Sequence, residues 1–284
     1  GGAAGRAAAR RRGRERVTAT GRWADALAAW AIPEEILARA ETSPWGHPVR
    51  RFADRADAAV TAPSGRSFEV ARDALTGGGP GSVLDVGAGA GAASLPLAPW
   101  ATELVAVDRS AGMLAAYALR AAELGVPART VEGLWPQVAD QAGVHDVVVC
   151  HHVVYDVPDI GPFVAALTGS ARRRVVVELP VQHPMTWLSP LWLRFHGLTR
   201  PERPTSADFV AVLEEAGVAG LRVQRWERPE PADDDPLDER AALVTRRLCL
   251  PAARTAEVAA VLPDVSQSGF RLVETVSWSG AGGA

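Results

Sequence analysis

The chain has 284 residues, 48% apolar and 22% charged, with a net charge of -3. This is ordinary usage for a packed soluble protein and excludes a disordered, collagen-like or coiled-coil chain. All 30 basic residues are arginine, which excludes a lysine Schiff base and a P-loop lysine. The two cysteines, Cys150 and Cys249, are far apart in the chain. They make neither a disulfide framework nor a thiolate zinc site, and they fit a reducing, cytoplasmic setting. No stretch reaches the roughly 20 apolar residues that a membrane helix needs, and the charge offers no broad field for nucleic acid.

In chain order, residues 1–21 open with GGAAGRAAARRRGRER and read as a disordered Arg-rich tail. Trp23, Leu27, Trp30 and Ile32 then fall at spacings that put most of them on one helical face, ending at Pro33. A second helix starts there and runs until Ser43-Pro44-Trp45-Gly46 breaks the pattern. Residues 22–76 are therefore expected as a helical N-terminal cap, followed by one domain over 77–284 that begins in a glycine-rich turn. Short β-branched runs appear at 83–86, 104–107, 130–131, 147–150, 175–178, about 221–227 and 270–278. Helical spacing fills 90–99, 110–124, 134–142, 160–170, 206–216, 237–248 and 253–262. Such alternation predicts an α/β fold, doubly wound, with a mostly parallel sheet covered on both faces. After the fifth strand, residues 181–205 carry four prolines with Trp187, Trp192 and Phe195, and read as a lid insertion. An acidic run, Asp233-Asp234-Asp235, lies between the last two strands.

The sharpest signal is Val83-Leu84-Asp85-Val86-Gly87-Ala88-Gly89-Ala90-Gly91, a strand entering a glycine turn. Glycine permits positive dihedrals and close approach of a ligand to the backbone, and a helix start behind the turn is expected to supply free N–H groups. Asp85 would repel a pyrophosphate and favours a cationic or amino-bearing ligand. The pattern D-x-G-x-G-x-G resembles the class I S-adenosylmethionine-dependent methyltransferases. That resemblance implies S-adenosylmethionine as cofactor, with S-adenosylhomocysteine as product. It also implies a Rossmann-like, seven-stranded sheet whose last strand is antiparallel.

Residue by residue, it assigns Asp85, Gly87, Ala88, Gly89 and Gly91 to the amino-acid end of the cofactor, and Asp108, nineteen positions after Gly89, to the ribose. Arg109, Met113, Glu132, Gly133 and Leu134 fall to the adenine side, and His151 to the methionine portion. The segment from His145 to Asp159 resembles the loop of methyltransferase-domain proteins of the UbiE-like type, which often reads LHHVPD. Here Tyr155 and Asp156 stand where the histidine pair usually lies, and the histidines are upstream at His151 and His152.

Direct methyl displacement needs an aligned acceptor and, for a hydroxyl, a nearby base. His151, His152 and Tyr155 are the candidates, with Asp156 to orient them. A roof over the strand ends would draw on Trp30, Trp45, His47, His183, Trp187, Trp192 and His196, although tryptophan equally serves as core filling. No metal is expected. No [DN]-P-P-[FYW] sequence follows strand four, so the usual mark of amide or adenine N-methylation is missing. A small-molecule acceptor methylated on oxygen is therefore the leading expectation, with nucleic acid and membrane not expected as partners. The alternatives are a ribosomal RNA or protein methyltransferase tethered by the Arg-rich tail, and a cofactor-binding subunit without turnover. Oligomeric state is left open.

Overall fold

The computed structural model describes residues 18–46, 48–229, 236–265 and 270–282. Most of the Arg-rich tail, His47 and the acidic run at 233–235 lie outside them.

Seven strands form one sheet: β1 (Gly81–Val86), β2 (Ala101–Asp108), β3 (Ala128–Glu132), β4 (His145–His151), β5 (Ala171–Pro180), β6 (Arg222–Pro229) and β7 (Phe270–Ser279). Their order is β3-β2-β1-β4-β5-β7-β6, with β7 antiparallel to both of its neighbours and the other pairs parallel. The central strands are buried on both faces, which is why they read as unbroken β-branched runs rather than as an alternation.

One face packs Leu84, Val86, Val148, Cys150, Val177 and Trp278 beneath α1 (Ala19–Ala28), α7 (Ile160–Gly169) and α9 (Ser206–Ala216). The other packs Val83, Leu104, Val147, Val149 and Val176 beneath α3 (Val49–Thr61), α4 (Arg66–Thr76) and α5 (Ala111–Glu123). The segment 22–76 is thus divided between the two faces: α1 seats fully buried Trp23 on one, and α4 seats Leu75 on the other.

A third, smaller core stands apart from the sheet. It joins Ile36 of α2 (Glu34–Leu37), Leu191 and Trp192 of α8 (Ser189–His196), Val244 of α10 (Leu237–Arg247) and Val258 of α11 (Thr255–Val261). The fifth and sixth strands end at the same edge, since Pro180 and Trp226 both pair with Val273. The segment after β5 and the helices α10 and α11, which come after β6 in the sequence, meet in this cap. The sequence had placed the first of these at the roof and not the second.

Four expected helices are cut short: the first two end at Ala28 and Leu37, and two more lie beyond residue 77. Residues 90–99 make turns and then a 3-10 helix, Leu95–Trp100, because Pro96 and Pro99 remove the amides that an α-helix would need. Residues 134–142 reduce to α6 (Ala139–Ala142), behind Gly133 and Pro136. The free helix N-terminus expected behind the glycine turn is consequently not formed.

Candidate active site

The first strand delivers Asp85 and then a turn in which Gly87, Gly89 and Gly91 have φ of 72°, 52° and 102°. A Cβ on Gly87 would stand 2.3 Å from Val153 Cγ2, and one on Gly91 would stand 2.4 Å from Leu95 Cδ1. Both positions need glycine for dihedral and for space. The N–H groups of Gly87 and Ala88 donate to the Val107 carbonyl at 2.8 and 3.0 Å. That of Gly89 donates to Asp108 Oδ2 at 2.9 Å. Asp108 Oδ1 accepts from the Ser110 N–H at 2.9 Å, so this carboxylate ties the glycine turn to the start of α5. Each of its oxygens keeps a further lone pair.

Asp85 is 1% exposed. Ser94 Oγ donates to its Oδ2 at 2.6 Å, and Tyr117 Oη lies 2.9 Å from the same Ser94 oxygen. The serine has a single hydroxyl proton, so the tyrosine must donate to it. Oδ1 of Asp85 is buried without a protein partner. Burial pushes this carboxyl up to about 7; the Ser94 hydrogen bond opposes the rise and the charge of Asp108 adds to it. Over the turn runs α3, with Phe52 Cδ1 3.3 Å from where a Cβ of Gly89 would be. Two hydrogen bonds of 2.6 and 2.8 Å from Arg120 to Asp57 hold α3 to α5.

At the tip of β4, His151 lies on the same sheet face as Asp85, because Asp85 is the register partner of Val149 and alternate residues share a face. Its Nε2 is buried and unpartnered, and burial lowers its pKa to about 4, so the ring is neutral at pH 7. His152 has φ of 61°, a left-handed conformation that is uncommon outside glycine and gathers at functional sites. It is held there by its N–H, which donates to the Glu178 carbonyl at 2.7 Å.

Its Nε2 lies 3.0 Å from Glu178 Oε1, and Arg228 Nη1 donates to the same oxygen at 3.1 Å. Glu178 is buried, and its two histidines and Arg228 hold its carboxyl far below the usual range despite that burial. Tyr155 is taken out of proton transfer: its hydroxyl donates to the Pro180 carbonyl at 2.8 Å, its ring stacks on Trp23, and burial pushes its pKa far up. Asp156 is exposed.

On the adenine side Met113 is buried. The side chains of Arg109, Glu132 and Leu134 face solvent, and the Gly133 N–H donates to the Asp108 carbonyl at 3.0 Å. The expected roof residues are instead largely tied to one another. Trp30 stacks on His183 with ring centres 3.8 Å apart, and its Nε1 donates to the Arg203 carbonyl at 2.7 Å. The Arg200 guanidinium sits between Trp30 and Trp192, 5.2 and 5.0 Å from their ring centres. His196 Nε2 lies 2.7 Å from the Leu248 carbonyl, and Trp187 packs on the cap core. Trp45 is half exposed. This column joins the cap to the sheet, which is a packing role for most of the tryptophans.

Sequence reasoning missed Ser94, Tyr117, Glu178 and Arg228. Of these only Glu178 carried a signal, as an acid closing the apolar run Val175-Val176-Val177.

Residues 83–172 match the family model described as a methyltransferase domain. Among solved structures the chain is similar to a Bacillus halodurans C-125 protein assigned as a methyltransferase. The two share 15% identity and a TM-score of 0.50 over 77% of this chain and 97% of that one. It is also similar to a cyclopropane-fatty-acyl-phospholipid synthase-like protein of Lactobacillus casei, at 15% identity and a TM-score of 0.51 over 87% of this chain and 98% of that one. At these identities the likeness is one of fold. No curated protein matches the sequence. The matched methyltransferase domain runs from β1 into β5, within a seven-stranded sheet whose last strand is antiparallel to its neighbours.

Proposed function

We propose that this methyltransferase acts on a hydroxyl of a small molecule, and that the glycine turn, Asp85 and Asp108 hold the cofactor. The observation that carries the site is the Asp85 carboxylate, whose Oδ1 is buried and lacks a protein partner beside a turn in which a Cβ would collide. An orphaned buried oxygen is costly unless a donor reaches it, and the cofactor's ammonium is such a donor. The lone pairs left on Asp108 suit ribose hydroxyls. Met113, Gly133 and the backbone near Arg109, Glu132 and Leu134 would flank the adenine. When bound, S-adenosylmethionine supplies a methyl on a sulfonium, open to direct displacement.

The chain's own contribution is to orient the acceptor at the tip of β4, exclude water and take a proton. Two neutral histidines, His151 and His152, occupy that tip. The cap above the ends of β5 and β6 supports a small acceptor, since a roofed site favours a compact ligand over a duplex. The free, buried thiols of Cys150 and Cys249 accord with a cytoplasmic setting. No helix among the described residues is long and apolar enough to cross a membrane.

The test is calorimetric titration with S-adenosylhomocysteine, followed by methyl-transfer assays against phenols, carboxylic acids and amines. Binding of the product with turnover confined to amines would reject the oxygen assignment, and absence of binding would reject the site. Asp108→Ala is expected to lower unfolding stability in urea by about 1–3 kcal/mol and to weaken S-adenosylhomocysteine by about 10–100-fold. It removes two charge-assisted hydrogen bonds and the ribose acceptor together. Stability equal to the wild type would show that the carboxylate does not brace the turn.

A further inference from the structure

At the carboxyl edge of the sheet, β4, β5, β6 and β7 bring together a cluster whose Glu178 and Arg228 were no part of the expected site. Glu178, two residues before the end of β5, lies on the face that also carries His151, its register partner. Its Oε1 lies 3.0 Å from His152 Nε2 and 3.1 Å from Arg228 Nη1. Arg228 Nη1 also contacts His152 Nε2. Among the described residues, the charged and titratable groups facing His152 are Glu178 from β5, Arg228 from β6, Arg271 from β7 and His151 beside it at the end of β4.

A single nitrogen cannot both donate to Glu178 and accept from Arg228. Two facts decide between the arrangements. An ionised carboxylate is the stronger acceptor, and Arg228 already spans to the same oxygen, so its hydrogen is satisfied there without the ring. The left-handed backbone of His152, pinned by its N–H to the Glu178 carbonyl at 2.7 Å, fixes where the ring can sit.

From this geometry, and resting on the methyl-transfer reading above, we infer that Glu178 is a positioning residue. It holds the Nε2–H tautomer of His152, so that Nδ1 is the atom that takes the proton of the acceptor hydroxyl. The step balances. The acceptor O–H proton goes to Nδ1 and the oxygen's electron pair forms the O–CH3 bond, while the S–CH3 bond breaks with its pair left on sulfur. The positive charge lost from the sulfonium reappears on the imidazolium, next to the Glu178 carboxylate. An orienting acid behind a histidine base contributes by fixing the tautomer and stabilising the imidazolium.

The experiment reads the tautomer directly and needs no acceptor. Full-length protein labelled with 15N is examined by long-range 1H–15N correlation across a pH series, with His152→Asn to assign the signals. The expected wild-type pattern at neutral pH is Nε2–H with unprotonated Nδ1. In Glu178→Gln the ring should become a mixture of tautomers and the midpoint of its titration should move down, because a neutral amide supports the imidazolium less. Glu178→Asp should restore the wild-type pattern in part.

An Nδ1–H tautomer in the wild type overturns the inference, and so does an unchanged tautomer and titration in a folded Glu178→Gln. If Glu178→Gln does not fold, the wild-type tautomer alone decides. Failure of the methyltransferase reading looks different: the tautomer would be as expected, yet S-adenosylhomocysteine would not bind.

Discussion

Gly91→Val is expected to abolish measurable S-adenosylhomocysteine binding, a loss of more than about 100-fold, and to lower stability by about 2–4 kcal/mol. Gly91 has φ of 102°, which a β-branched residue does not tolerate. Its Cβ would come within 2.4 Å of Leu95 Cδ1 and 2.9 Å of Tyr117 Cδ2. Leu95 and Tyr117 are fully buried and have no open space to move into. A shift of Tyr117 carries Ser94 with it, and Ser94 holds Asp85. One substitution therefore disturbs both the turn and the carboxylate beside it. Calorimetric titration and urea unfolding check the two effects, and retention of wild-type affinity would remove the glycine turn from the site.

The second large effect is on pH dependence. Asp85 is raised to about 7 in the fold from an ordinary value near 3.8. Its folded form keeps a proton that the unfolded chain releases, so its contribution to stability is present at low pH. That contribution is lost as pH rises from about 4 to about 7, over a range of order 4 kcal/mol. Asp85→Asn keeps an acceptor for Ser94 and removes the ionisation, so thermal melts at pH 8 should show a more stable protein with a flatter pH profile.

A ligand that presents its ammonium group to Asp85 has the opposite preference, because it binds the ionised form. S-adenosylhomocysteine affinity in the wild type should therefore rise by up to about tenfold per unit between pH 5.5 and 7 and level off above. In Asp85→Asn it should be weak and nearly independent of pH over that range. A slope that survives the substitution would mean that another group governs it.

Much of the fold was legible because its signals are local. Seven β-branched runs alternate with helical spacing, and each strand in the structure overlaps its predicted run. Central strands buried on both faces leave no polar alternation to confuse the reading. Boundaries failed where proline decided them: Pro96 and Pro99 turn an expected α-helix into a 3-10 helix. The fold also escaped prediction where partners are remote in sequence. Nothing near Trp30 announces that Arg200 will lie against its ring, or that His183 will stack on it. The cap core likewise needs residues 32–40, 185–198 and 241–262 together, and no window of the sequence contains all three.

By itself the sequence determined the sheet, the glycine turn and the acidic residues at the ends of β1 and β2. Glycine, proline and strand-forming residues act through the backbone of their own neighbours, and that effect is encoded in place. Only the tertiary structure decided which polar groups would be neutral, paired or committed elsewhere. Burial takes Tyr155 out of chemistry through a carbonyl 25 residues away. It raises Asp85 by removing water from around it, and it sets Glu178 against a histidine 26 residues distant. Desolvation and hydrogen bonding depend on which atoms meet after the chain has folded, and spacing along the chain does not carry that information.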